Sequence, residues 1–235
     1  MTLGRVMPRL SIIVPVLDEA EIICAALSRL SGYRARGAEI VVVDGGSVDA
    51  TADLARPLAD RVIAAPRGRA RQMNAGATAA SGDILLFLHC DCLLPADADR
   101  LLREGLAQTG AAWGRFDVCI DARSPLLRMV AAMMNARSRL TGIATGDQAI
   151  FVRKDTFERI GRFPEIALME DVALSRALKR ISPPLCLRAK VTTSGRRWEK
   201  NGVFRTIVLM WRLRLAYFLG ANPAALARRY GYAGE

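Results

Sequence analysis

The first half of the chain alternates between two hydrophobic periods, and few folds accept that alternation. Continuously apolar runs (LSIIVPV from Leu10, EIVVV from Glu39, RVIAA from Arg61, DILLFL from Asp83) are separated by helix-spaced stretches at Glu21 to Leu30, Asp49 to Leu58 and Arg69 to Ala80. Strands this uniformly apolar must be covered on both faces. Helix-sized spacers between them make right-handed βαβ crossovers, so the expected fold is α/β, a mostly parallel Rossmann-like sheet with helices on both faces. In such sheets ligands sit beyond the carboxyl ends of the strands. Those ends carry Asp18-Glu19, Asp44-Gly45-Gly46-Ser47, Pro66-Arg67-Gly68 and His89-Cys90-Asp91.

The second half is less regular. Its spacing predicts a helix from about Pro125 to Leu140, a short strand AIFVR and a helix from Glu170 to about Arg180. A basic segment with a helix from Val203 to Leu219 and another opening at Pro223 follows Ser182-Pro183-Pro184. A length of 235 residues suits one domain, read as a core over about residues 10–185 and a basic helical extension over 186–235. The apolar fraction of 51% excludes a disordered chain.

Charge is concentrated at the end. Residues 186–235 hold ten Lys and Arg against two acids, +8 of the total +11. Such a tail suits an anionic partner, membrane headgroups or nucleic acid, or is simply a solvated face. Aromatic residues are only 6% and no stacking platform is visible, so nucleic acid is not an expected partner. The Val203 to Leu219 stretch is interrupted by Arg205, Arg212 and Arg214 and does not read as a membrane span. Arg214 falls opposite the other two, an imperfect amphipathic stripe, so peripheral contact with an anionic membrane is an expectation rather than insertion. An N-terminus without an apolar core, and five scattered cysteines, suggest a reducing, cytoplasmic setting.

The strand ends carry the chemistry. If the strand continues through His89-Cys90-Asp91-Cys92, His89 and Asp91 share a face and both cysteines point away, which disfavours a zinc site. A hard Mn²⁺ or Mg²⁺ needs only one or two carboxylates when phosphates complete its shell, with Asp91 as ligand and His89 as ligand or orienting partner. Asp91 alone also reads as a turn residue before Pro95. Asp44 with its glycines suits a nucleobase or ribose, or a tight turn with Ser47 as N-cap; no G-x-G-x-x-G or P-loop is present. Asp18 and Glu21 have capping-box spacing, which leaves Glu19 unexplained. Arg67, Arg69 and Arg71 around Gly68 suit a diphosphate or a solvated turn equally. Glu170 and Asp171 open an apolar-striped helix, either as dipole-favoured acids or as a general base. Met129, Met133 and Met134 read as core filler before acceptor groove.

Taken together, SIIVPVLDEAEII, VVVDGGSVDAT, GRARQMNAGATAASGDILLFLHCDCLLP, GDQAIFVRK and FPEIALMEDVALSRALKR resemble a family 2 glycosyltransferase of GT-A fold from about Leu10 to Arg180. The tail SGRRWEKNGVFRTIVLMWRLRLAYFLG, with GDQAIF and MEDV, is similar to a bacterial subgroup associated with arsenosugar biosynthesis. The resemblance implies a hexosyltransferase using a nucleotide-diphosphate sugar, UDP-linked first, a hydroxyl acceptor and a divalent metal. It would place Pro15, Glu19 and Asp44 at base and ribose, Arg71 and Asn74 near the donor, and Asp91 with His89 at the metal. Asp171 would be the catalytic base beside Glu170, with Asp147, Arg197 and Trp198 on the acceptor side. The family's Asp-x-Asp reads His89-Cys90-Asp91 here, and Asp18 stands where Asn is commoner. The competing reading is a non-catalytic basic protein docked on anionic membrane or nucleic acid.

Overall fold

The computed structural model describes residues 7–122, 124–195, 198 and 202–231. The elements run β1 (Leu10–Val16), α1 (Ile23–Ser28), α2 (Ser31–Ala35), β2 (Glu39–Asp44), α3 (Thr51–Ala55), β3 (Arg61–Ala64), α4 (Arg69–Ala79) and β4 (Ile84–Phe87). Then come β5 (Cys92–Leu93), α5 (Ala98–Thr109), β6 (Trp113–Asp121), α6 (Pro125–Thr141), a 3-10 turn (Gly146–Gln148), β7 (Phe151–Arg153) and α7 (Lys154–Arg159). The chain ends with α8 (Glu170–Leu178), β8 (Leu185–Ser194), α9 (Val203–Phe218) and α10 (Pro223–Tyr230).

One sheet of order β3-β2-β1-β4-β7-β6-β8-β5 crosses the molecule. Its first half is parallel as the βαβ spacing requires, with Ile13 against Val41 and Phe87 in register. The second half is mixed: β7 runs antiparallel to β4 and β6, β8 lies parallel to β6, and β5 antiparallel to β8. The basic segment therefore does not begin as helix, because Leu185–Ser194 is a strand of the central sheet.

Alternation along the strands fills two apolar layers. Ile12, Val14, Ile40, Val42, Ile84 and Leu86 pack with α1 and α5 on one face. Ile13, Val41, Val43, Leu85 and Phe87 pack with α4, α7 and α8 on the other. Neither face of β1, β2 or β4 is left to water, which is why those runs show no polar alternation, whereas edge strand β3 is partly exposed. The C-terminal helices are docked: Leu213 of α9 and Leu226 of α10 pack on Met169 and Val172, and Val203 and Ile207 pack against β6 and α6.

Candidate active site

At the carboxyl ends of the parallel strands the loops are braced against one another. Asp18 is left-handed (φ 53°), a conformation Asn and Asp tolerate best, and its carboxylate accepts from Val48 N–H at 2.9 Å. That corrects the capping-box expectation, since α1 starts only at Ile23 and Asp18 ties the β1 loop to the β2 loop. Glu19 N–H donates to Thr51 Oγ1 at 2.8 Å, which fixes the backbone that carries its carboxylate. From α4, Gln72 Nε2 donates to Val16 O and Val43 O, tying the tips of β1 and β2 together.

A cavity of 1120 Å³ opens over these tips, at the upper end of ligand-site sizes and roomy enough for two substrates. Pro15, Glu19 and Arg71 line it, and so do His89, Asp91, Asp147, Glu170, Asp171 and Trp198. Two expected residues lie outside its wall. Asp44 is turned into its own loop, accepting from the Gly46 and Ser47 N–H groups and the Ser47 hydroxyl, so Ser47 supports the turn rather than capping α3. Asn74 clamps Phe163, donating to its carbonyl at 2.9 Å and accepting from its N–H at 3.1 Å. Arg197 is outside the described residues. Arg71 pairs with Glu165 at 3.4 Å on the rim.

β4 ends at Phe87, and His89 to Cys92 form a turn closed by Cys92 N–H to His89 O at 3.0 Å. Strand alternation therefore does not hold there: ligand atoms of His89, Asp91 and Cys92 lie within 4.8 Å of one another. Burial raises the Cys92 thiol well above its ordinary range, while the Asp91 carboxylate of the same turn is exposed. His89 is wedged between Gly146 and Asp147. A Cβ on Gly146 would meet His89 Nε2 at 2.5 Å, while His89 Nδ1 lies 3.7 Å from Asp147 Oδ1. Burial opposes ionisation of Asp147, but His89, Arg69 and Arg214 outweigh it and lower its carboxyl.

The same Gly146 positions the opposite wall, its N–H donating to Asp171 Oδ2 at 2.9 Å. Asp171 Oδ1 accepts from Val172 N–H, so the carboxylate is held at the start of α8. Met169, just before the pair, is left-handed at φ 70°, an uncommon state for a residue with a side chain. Glu170 is 5% exposed. Burial first, and the charge of Asp171 second, push its carboxyl up to about 7. Two adjacent carboxylates thus occupy unlike environments, the arrangement that lets one hold a proton while the other accepts one.

Arg137 and Arg214 also face the cavity and were not read as site residues. Arg214 had one signal, a charge on the helix face opposite Arg205 and Arg212. Met133 and Met134 line the cavity too: Met133 is half exposed, while Met134 also packs on the cluster of Val118, Leu127 and Val130 as a core residue would.

A mixed α/β sheet with a cleft over its parallel strand ends, acidic at both walls, is the architecture of GT-A glycosyltransferases. The family model "Glycosyl transferase family 2" matches residues 11–161, and the chain belongs to that family. A PGL/p-HBAD biosynthesis glycosyltransferase of Mycobacterium bovis, also found in Mycobacterium tuberculosis, is 38% identical over 103 residues. That match spans 41% of this chain and 40% of the relative. Among solved structures, S. aureus TarS residues 1–349 superpose with TM-score 0.64 at 17% identity, over 80% of this chain and 60% of that one. A mannosyltransferase from Pyrobaculum calidifontis, solved with GDP-Man and Mn²⁺, gives TM-score 0.63 at 24% identity over 96% and 69%.

Proposed function

We propose that the chain is an inverting hexosyltransferase that moves a sugar from a nucleotide-diphosphate donor, UDP-linked, to an acceptor hydroxyl. One observation carries the reading: residues from β1, the turn after β4, the 3-10 turn and α8, far apart in sequence, line one cavity. The acceptor oxygen attacks the anomeric carbon as its proton passes to Asp171, and the bond to the diphosphate breaks. Gly146 N–H keeps Asp171 aimed, and burial raises the carboxyl of the neighbouring Glu170 to about 7. Pro15 and Glu19 bound the donor end, and Arg67 and Arg69 at the start of α4 face the leaving diphosphate. Asp147 and Trp198 lie toward the acceptor.

Asp91 with His89 fits Mn²⁺ or Mg²⁺, because the carboxylate is exposed to the cavity and an imidazole nitrogen lies within 4.8 Å of it. Such an ion, when bound, offsets charge on the diphosphate. The P. calidifontis neighbour was solved with GDP-Man and Mn²⁺ and TarS with UDP and UDP-GlcNAc, which supports this donor and ion class. The arsenosugar likeness remains a proposal about pathway, since the curated relatives carry the name of a different one.

We also propose a cytoplasmic enzyme in peripheral contact with anionic membrane. Among the described residues no helix is long and apolar enough to cross a bilayer. α9 instead exposes Phe204, Val208, Trp211, Leu215 and Phe218 on one face, with Arg205 and Arg212 exposed beside them. Arg214 does not break the stripe, because it turns inward to the cavity.

Substituting Asp171→Asn tests the transfer mechanism. Donor affinity should persist while turnover falls by roughly 10² to 10⁴. Unchanged turnover rejects Asp171 as the base.

A further inference from the structure

Two guanidinium groups in the cavity have no assignment in the transfer chemistry above. Arg137 comes from α6 and Arg214 from α9. Among the described residues, Nε and Nη2 of Arg137 and Nε of Arg214 are enclosed and make no hydrogen bond. The two groups also repel: burial first and the charge of Arg214 second push Arg137 down to about 10. Burial lowers Arg214 as well, while Asp171 and Asp147 act on it only as neighbouring charges. Enclosed guanidinium nitrogens without acceptors cost folding free energy and a like-charged neighbour adds to the cost, which the charge of Asp171 offsets in part for both groups. An anion bound between them would satisfy those nitrogens and add to that offset.

This pair sits on helices from the other half of the molecule, beside Asp171 and Asp147, while Arg69 at the start of α4 and His89 of the turn holding Asp91 also act on Asp147, so the pair borders the end of the cavity assigned to the donor. Beside Asp171 it also lies where an acceptor approaches the base. An apolar wall of Met133, Met134, Trp198 and Trp211 lines the same cavity, and Met133 (50%) and Trp211 (62%) carry it out to solvent.

Resting on the transferase reading, we propose that the acceptor is an anionic amphiphile whose phosphate-bearing headgroup is gripped by Arg137 and Arg214 and whose apolar chain lies along Met133, Met134 and Trp211. Two fixed positive charges match a phosphate monoester, and each guanidinium fork presents paired donors to its oxygens. Gripping the phosphate fixes the headgroup beside Asp171, so a hydroxyl on that headgroup is brought to the base.

The test is calorimetric binding of dodecyl phosphate, inorganic phosphate and dodecyl maltoside below their micellar concentrations. Metal-free buffer is used so that no ion at Asp91 recruits phosphate. Dodecyl phosphate should bind the wild-type chain at least about tenfold more tightly than either other probe, reflecting charge-assisted bonds plus chain burial. Arg137→Gln and Arg214→Gln should each weaken dodecyl phosphate by about tenfold or more and leave dodecyl maltoside unchanged. Arg214→Lys, which keeps the charge, should fall between. Thermal melting checks that each variant folds, and loss of one repelling cation should not lower the melting temperature. Equal binding of inorganic phosphate overturns the amphiphile, and equal binding of dodecyl maltoside overturns the anion. If the arginine variants lose UDP binding in Mn²⁺ instead, the pair belongs to the donor and the inference fails. A wild-type chain that binds dodecyl phosphate but no UDP would reject the transferase reading and leave the anion site standing.

Discussion

Gly146 does at one position what three side chains depend on. Its missing Cβ lets His89 pack on the backbone, its N–H aims Asp171, and its neighbour Asp147 faces His89. Glu170 shows the complementary effect of enclosure. With its carboxyl raised to about 7 in the folded chain, folding favours the protonated form. The stability this contributes is complete below the ordinary carboxylate range and is lost as pH rises through about 7. Glu170→Gln should therefore gain on wild type as pH rises from about 5 to about 8, by several degrees of melting temperature. A difference independent of pH would mean that Glu170 is ionised throughout. Glu19 and Asp91 stand just past apolar runs and Glu170 and Asp171 open a helix, and all four line the cavity, whereas Asp44 and Asn74, also expected at the donor, lie outside its wall. Both are polar residues at site-like positions whose hydrogen bonds close loops, and sequence alone does not say which way such a side chain turns.

Element by element, legibility followed apolar uniformity. β1, β2 and β4 are buried on both faces by hydrocarbon and could be read as runs. β6 could not, because the run WGRFDVCID buries Arg115 against Asp117 and uses Asn135 of α6 to bond Val118 at both N–H and C=O. Ion pairing inside the fold makes an interior strand look polar. β8 escaped notice for a related reason, its Arg188 and Lys190 projecting from a strand that lies near the end of the sheet. The packing of α4 rests on Gly76, where a Cβ would meet Ile13 Cγ2 at 2.4 Å and Val43 Cγ2 at 2.9 Å. Gly76→Ala should lift the helix off β1 and β2 and destabilise by about 1–3 kcal/mol, read from chemical denaturation. A variant as stable as wild type would show that the helix does not sit this close.

At the scale of the whole molecule, the C-terminal helices complete the cavity rather than trail from it. α9 supplies Arg214 to the interior and an apolar stripe with Arg205 and Arg212 to the exterior, so one element links a proposed membrane face to a proposed acceptor path. Vesicles containing phosphatidylglycerol should therefore co-float with the protein and pure phosphatidylcholine should not, with binding weakened by salt. Replacing Phe204 and Trp211 by Glu should reduce flotation by about tenfold or more, since each aromatic contributes about 1.5–3 kcal/mol on burial. Undiminished flotation would place the contact elsewhere.

The account rests on a nucleoside diphosphate seated between Glu19 and Asp91, and titration calorimetry of UDP measures that directly. With Mn²⁺ present the wild-type chain should bind UDP, and either EDTA or Asp91→Ala should weaken binding by at least about tenfold. UDP that fails to bind, or binds equally well without the metal and without the carboxylate, would contradict it.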